Sequence, residues 1–319
     1  MSIILSDTSP VKGRPAAPRA ARAILRRDPV GHHRAPTRSV GRHGRGWPKA
    51  DCLTVSYGGT VVRLELACRG RVLLSGPWEV AVVRDQPSAG ACRPAPSISP
   101  WQATCRHSDE NVDYLELQME LAGGLRLERH LVMARKDRFL LLADAVLGMR
   151  PGTLRYRGLM PLGPEIAFRG AGSTREGFLI GATASRPRGK RLATVLPLAL
   201  PEWRCDRHVG DFFCSPEGME LCQVIQGRRL FAPLWLDLDP GRAGRRRTWR
   251  QLTVAESLAA QAADVAVGYR VALGRGQWLV YRSLARTRNR SVLGHNLATE
   301  TLVARFRRDG EVESIIEIE

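Results

Sequence analysis

Six side chains between residues 107 and 138 are of the types that eliminative chemistry on a carboxylate-bearing substrate requires. Such chemistry needs a base for the proton beside the carboxylate, an acid for the departing oxygen, and a cation to neutralise the carboxylate. His107 or His130 could act as the base, Tyr114 as the acid and Arg129 or Arg138 as the cation, with Asp109 close to His107. Spacing divides this set. Neighbours on a strand point to opposite faces, so Arg129 and His130 cannot easily serve one site. His130 is expected on the solvated face of its strand and His107 in a loop. Arg129 and Asp144 are expected to face inward, each meeting an opposite charge, because a buried charge needs a partner.

Other candidate groups are sparser. Asp237 and Asp239 share a strand face and could hold calcium, but calcium takes six or more oxygens and no dense acidic loop completes the set. A solvated face turned toward the arginines of 242–247 is the expected arrangement. Trp101, Trp203, Trp235, Trp249 and Trp278 could offer surfaces for sugar rings, yet a tryptophan in a β protein is more often core. No Ser-His-Asp order, phosphate loop or HExxH motif occurs, and the seven cysteines include no CxxC, so zinc-ribbon and thioredoxin-like chemistry lose their basis. No cofactor or metal is called for, and the cysteines are expected to be reduced.

These candidates sit in the chain's clearest strand pattern. Leu115, Leu117, Met119 and Leu121 alternate with Glu116, Gln118 and Glu120, the two-residue period of a half-buried strand. Gly123-Gly124 suits a tight hairpin, and Leu125, Leu127, Leu131 and Met133 resume the apolar side. Phe139 to Leu147 is apolar on both faces except at Asp144, which predicts a central strand. Further strands are predicted over Trp78–Val83, Thr153–Leu159, Met219–Gln226 and Arg229–Asp239, the last two joined at Gly227. Gln86–Pro100 and Asn289–Asn296 read as loops, Glu202–Gly218 has no clear pattern, and Ser257–Ala263 has enough Ala and Leu for a helical turn. Close to twenty strands with almost no helix predict an all-β fold, a large antiparallel β-sandwich of supersandwich type, over residues 49–319.

Residues 1–48 differ in kind. Over positions 1–50, eleven Lys and Arg stand against two Asp, so 11 − 2 = +9, half of the chain's net +18. The segment has several Pro and Gly and no sustained period, the composition of a disordered basic leader. It shows no secretory signal, and no stretch is long and apolar enough to span a membrane, so a cytoplasmic location is expected.

Three stretches carry a family resemblance: Tyr114-Leu115-Glu116-Leu117, Leu127-Glu128-Arg129-His130 and Asp137-Arg138-Phe139-Leu140-Leu141-Leu142-Ala143-Asp144. Together they resemble the β region of heparinase II/III-like polysaccharide lyases, over about residues 51–319. The resemblance implies a carbohydrate-related β-sandwich. In that family a helical toroid precedes the sandwich and supplies the tyrosine that acts on the sugar; the basic, helix-poor first fifty residues here offer no counterpart, so no catalytic residue is carried over.

Three classes of function follow. The preferred expectation is a noncatalytic sandwich that binds an acidic polysaccharide or a protein partner through its loop-bearing end. A reduced lyase or mutarotase-like enzyme would need a histidine and a carboxylate facing each other in a groove. A nucleic-acid binder would use the leader and the basic loops at 186–191 and 242–247, driven by phosphate neutralisation, but those segments have few interleaved aromatics. No membrane partner is expected.

Overall fold

The computed structural model describes residues 51–85, 93–181, 189–206, 208, 210–307 and 310–319, together with the backbone of 21–26. The predicted leader otherwise lies outside the described residues. Within it, the described backbone of β1 (Ala21–Arg26) pairs antiparallel with β2 (Cys52–Tyr57).

The strands follow in chain order. After β2 come β3 (Val62–Cys68), β4 (Arg71–Arg84), β5 (Gln102–Ser108), β6 (Val112–Leu121), β7 (Leu125–Ala134) and β8 (Phe139–Met160). Next are β9 (Ile166–Gly170), β10 (Gly177–Gly181), β11 (Arg191–Pro197), β12 (Gly210–Ser215) and β13 (Gly218–Asp237). The last third holds β14 (Arg247–Leu252), β15 (Ala255–Glu256), β16 (Ala259–Ala260), β17 (Ala266–Leu273), β18 (Gly276–Ser283), β19 (Arg290–Val292), β20 (His295–Leu297), β21 (Thr301–Phe306) and β22 (Val312–Ile318). All paired strands run antiparallel, and among the described residues the only helical element is a single 3-10 turn, Pro240–Arg242.

The long strands β8 and β13 organise the molecule. They pair along nearly their whole length, from Met219↔Met160 to Asp237↔Phe139, with a bulge between Gly227 and Arg229. The first half of β8 takes β7 as its other neighbour and the second half takes β4. One sheet therefore folds back on itself into two layers, β2 to β4 with the far half of β8 against β5 to β7 with the near half. A core fills the space between them, with Leu53, Leu64 and Trp78 from one side and Leu115, Leu131 and Leu142 from the other.

The middle layer is buried on both faces. Its second face carries Val132, Phe139, Leu141, Phe231 and Trp235, which pack against Tyr269, Val271, Trp278 and Val303 of the five-stranded sheet β14-β17-β18-β21-β22. A third core, including Val254, Tyr281 and Leu302, lies between that sheet and the four-stranded sheet β16-β15-β19-β20. This stacking is why Phe139 to Leu147 is apolar on both faces: the strand has a core on each side.

Several predicted boundaries shift. Trp78–Val83 is part of the longer β4, and Thr153–Leu159 is continuous with the strand before it. The predicted break at Gly227 is a bulge within one strand, and the predicted loop Asn289–Asn296 contains the hairpin of β19 and β20. No helical turn forms at Ser257–Ala263. Ser257 and Leu258 both take positive φ, 47° and 66°, and turn β15 into β16. Ala and Leu are good helix formers, but propensity is a small bias, and pairing of Ala255 with Ala260 overrides it.

Candidate functional site

Tyr114, Glu116, Glu128 and His130 project from β6 and β7 toward the five-stranded sheet, in a register that pairs Glu116 with His130 and Gln118 with Glu128. The Tyr114 hydroxyl donates to Glu116 Oε2 at 2.7 Å and lies 2.9 Å from His130 Nδ1. A phenol has one proton, and here it is directed at the carboxylate. His130 Nδ1 therefore carries its own hydrogen and donates to the phenol oxygen. That tautomer leaves Nε2 bare, without a hydrogen-bond partner and 3.9 Å from Glu128 Oε2. Glu128 pairs with Arg282 from β18, which also donates to Thr301 Oγ1 at 2.6 Å and meets Glu300 at 2.7 Å.

Burial sets the electrostatics. Loss of water, and then the nearby Arg282 charge, hold the His130 imidazole well below its ordinary range, so it is neutral. Burial, with Glu116 alongside, drives the Tyr114 phenol upward, and burial raises Glu128 against the opposing pull of Arg282 and Arg126. His130 is thus not on a solvated face as expected. It is 2% exposed and Tyr114 is fully covered, because the five-stranded sheet closes over this side of β7. A neutral imidazole beside a phenol has the right types for proton transfer, but these two are sealed from any substrate. The arrangement acts as a polar latch between layers.

Arg129 points to the other face, as alternation requires. It forms a bidentate pair with Asp144, and its Nη1 donates to the Trp78 carbonyl at 2.9 Å. Tyr156 donates to the same carboxylate at 2.8 Å. The guanidinium lies 3.7 Å from the Trp78 ring centre and 4.8 Å from that of Trp101. The inward-facing expectation for both Arg129 and Asp144 holds.

The remaining predicted residues stand apart. His107 is on β5, not in a loop; it is half exposed, with Nε2 3.2 Å from Asp109 Oδ2. Asp109 Oδ1 accepts from the backbone amides of Asn111 and Val112, which together with His107 hold its carboxyl below the usual range despite some burial. Arg138 lies in the β7 to β8 turn, at the same end of the middle layer as Asp109, but its side chain is turned to Asp239 at 3.6 Å. Asp237 and Asp239 both face Arg242, as expected, but Asp237 is buried rather than solvated. Among the described residues no three His, Cys, Asp or Glu side chains gather as a metal site, and no helix is long and apolar enough to cross a membrane.

Beside the buried latch the molecule opens. A cleft of about 570 Å³ lies where the turn-bearing end of the middle layer meets the segments after β18 and before β21. Arg126, Arg229 and Arg286 line it, with Glu120 and Glu300 on the walls. Glu300 is engaged by Arg282, and Arg126 reaches Glu128 at 2.8 Å, so the cleft and the latch share side chains. Among the described residues no carboxylate lies within ion-pair distance of Arg286 or Arg229, whose Nη1 makes one long contact, 3.4 Å, to the Asp264 carbonyl. The sequence marked neither arginine, since each is one of many in polar surroundings. Glu116, Glu128 and Arg282 were missed for a related reason: alternation reads a charged position as solvent when a second sheet is not foreseen.

Comparisons with known proteins give structural neighbours only. No family model and no curated protein matches the chain. Among solved structures, a mutant of the heparan sulfate lyase HepC from Pedobacter heparinus aligns over 75% of this chain and 40% of its own, at 11% identity and a TM-score of 0.47. A heparinase III gene product aligns over 74% of this chain and 39% of its own, at 9% identity and a TM-score of 0.44. Another heparinase III covers 82% of this chain and 41% of its own, at 10% identity and a TM-score of 0.42. The chain thus spans about two fifths of the length of the structures it matches. They are of the group whose β region the sequence resembles.

Proposed function

We propose that this chain is a noncatalytic β-sandwich that binds an acidic glycan in the cleft between the middle layer and the five-stranded sheet. The observation that carries the reading is the pair Arg229 and Arg286 on one cleft, free of carboxylate partners among the described residues. Guanidinium groups present forked donors that match carboxylate and sulfate oxygens. A space of about 570 Å³ is the size of an ordinary small-ligand site. The resemblance of residues 114–144 to heparinase II/III-like β regions supports a sugar as the carrier of those anionic groups. Burial of Tyr114 and His130 supports binding rather than turnover.

The test is calorimetric titration of the chain with a heparin oligosaccharide, a polyuronate oligosaccharide and duplex DNA at low and moderate salt. Arg229→Gln and Arg286→Gln should each weaken glycan binding by about tenfold while leaving the melting temperature unchanged. Equal loss of glycan and DNA binding with salt, indifferent to both substitutions, would show that diffuse positive charge was the whole effect.

A further inference from the structure

The loop Pro201 to Asp206 is held with unusual economy. Arg175 is only 5% exposed, and its guanidinium donates to three carbonyls of that loop, those of Pro201, Trp203 and Asp206. The Arg175 amide donates to Glu202 O at 2.9 Å, and the Arg204 amide donates to Ser173 O at 2.9 Å. Thr174 and Trp203 are bridged as in a short ladder. The loop is thereby fixed before any ligand arrives, and the side chain it presents is Trp203, 48% exposed. The other four tryptophans weighed as sugar-stacking surfaces are at most 2% exposed. The buried arginine thus holds the backbone that presents this indole to solvent.

Trp203 borders a cavity of about 360 Å³. Glu202, Asp206, His208, Arg250 and Gln251 line it, over a floor formed by Trp249, whose Nε1 donates to Leu200 O at 2.8 Å. Burial and the nearby Arg175 hold His208 below its ordinary value, so at neutral pH it is one more neutral donor and acceptor. The two carboxylates share the lining with Arg250, the Arg175 charge is felt at His208, and Glu202 already accepts from Thr248 Oγ1, so both signs of charge meet at the cavity. A net cation or anion gains little here. A hydroxyl, which both donates and accepts, fits a rim containing both kinds of partner.

We propose that this cavity is a binding subsite for a pyranose unit of an uncharged saccharide. The ring's apolar face, with its slightly positive C–H bonds, lies on the negative face of the Trp203 indole. Its hydroxyls are met by Glu202, Asp206, His208 and Gln251. Fixing the loop in advance removes the ordering cost that would otherwise weaken binding of so small a ligand. The subsite is formed by other elements than the arginine cleft and does not depend on the acidic-glycan reading.

The experiment uses the full chain and a panel of uncharged oligosaccharides, namely β-linked glucose, xylose, mannose and N-acetylglucosamine series, followed by saturation-transfer NMR and calorimetry at low and high salt. At least one should bind with an affinity indifferent to salt. Trp203→Ala should weaken it by about tenfold or more, Trp203→Phe by clearly less, and Arg229→Gln with Arg286→Gln should leave it unchanged. Melting curves of the Trp203 variants should overlay that of the parent. The proposal is overturned if no uncharged sugar binds up to its solubility, if Trp203→Ala binds as well as the parent, or if binding vanishes with salt. Acidic-glycan binding that is indifferent to the arginine substitutions would fault the cleft and leave the Trp203 subsite standing.

Discussion

The guanidinium of Arg129 meets the carboxylate of Asp144 through two hydrogen bonds, 2.8 Å and 3.0 Å long, with no exposed surface on either side chain. The two residues are directly paired across β7 and β8, inside the core that the folded-back sheet encloses. Removing one partner strands a full charge out of water. Asp144→Asn should therefore cost about 3–5 kcal/mol, whereas the double change Arg129→Met with Asp144→Leu should recover most of that loss. Guanidinium chloride unfolding of the three proteins checks this. A single-variant loss below about 1 kcal/mol would mean that the pair is not desolvated in solution.

His130 makes stability depend on pH with a definite sign. Its folded pKa lies well below the ordinary value of 6.5, so below that pH the unfolded chain takes up a proton that the native state refuses. Stability is complete above about pH 6.5 and falls as the pH drops, by up to about 1.4 kcal/mol per unit. Glu128, raised by burial, acts with the opposite sign just above 4.5, so the clean window lies nearer 6. Urea midpoints for the parent and His130→Phe should converge or cross as the pH falls through this window. Parallel curves would mean that His130 is not neutral in the folded protein.

How far these features could be read from the residues depends on how local their cause is. The Gly123-Gly124 hairpin, the burial of both faces after Phe139 and the inward turn of Arg129 follow from period and turn chemistry, and each is present. The continuity of β8 and β13 was not legible, because a glycine such as Gly227 marks a bulge and a turn alike in sequence. The site was harder still. Glu116 and Glu128 occupy positions that alternation assigns to water, and only the sheet carrying Arg282 makes them interior. Trp203 differs from the buried tryptophans through Arg175, 28 positions earlier in the chain, a contact that no local pattern encodes.

The turn at Ser257 and Leu258 is built from poorly suited residues. Both have positive φ, which disfavours side chains with a Cβ, and Leu258 is fully exposed with nothing to gain from its apolar atoms. Two successive left-handed residues between short strands are what an Asn-Gly pair adopts most readily. Ser257→Asn with Leu258→Gly should stabilise the protein by about 1–2 kcal/mol. A thermal melt that rises confirms the turn, and one that falls would favour the helical turn suggested by the Ala and Leu content of 257–263.

Arg175 should be separable from the global fold by where its loss is felt. Its guanidinium satisfies three carbonyls in the 201–206 loop, while the strands on either side keep their own ladders. Arg175→Gln is shorter and cannot span the three acceptors, so those carbonyls turn to water and the loop loosens. The expected loss in overall stability is about 1–3 kcal/mol, the range for hydrogen bonds from a charged donor. The sharper readout is hydrogen exchange: the amide of Arg204, bonded to Ser173 O, and that of Asp206, bonded to Trp203 O, should exchange much faster, while those of β10 and β13 keep their protection. If exchange accelerated evenly across the whole sheet, Arg175 would be an ordinary core residue, and the loop would not owe its shape to it.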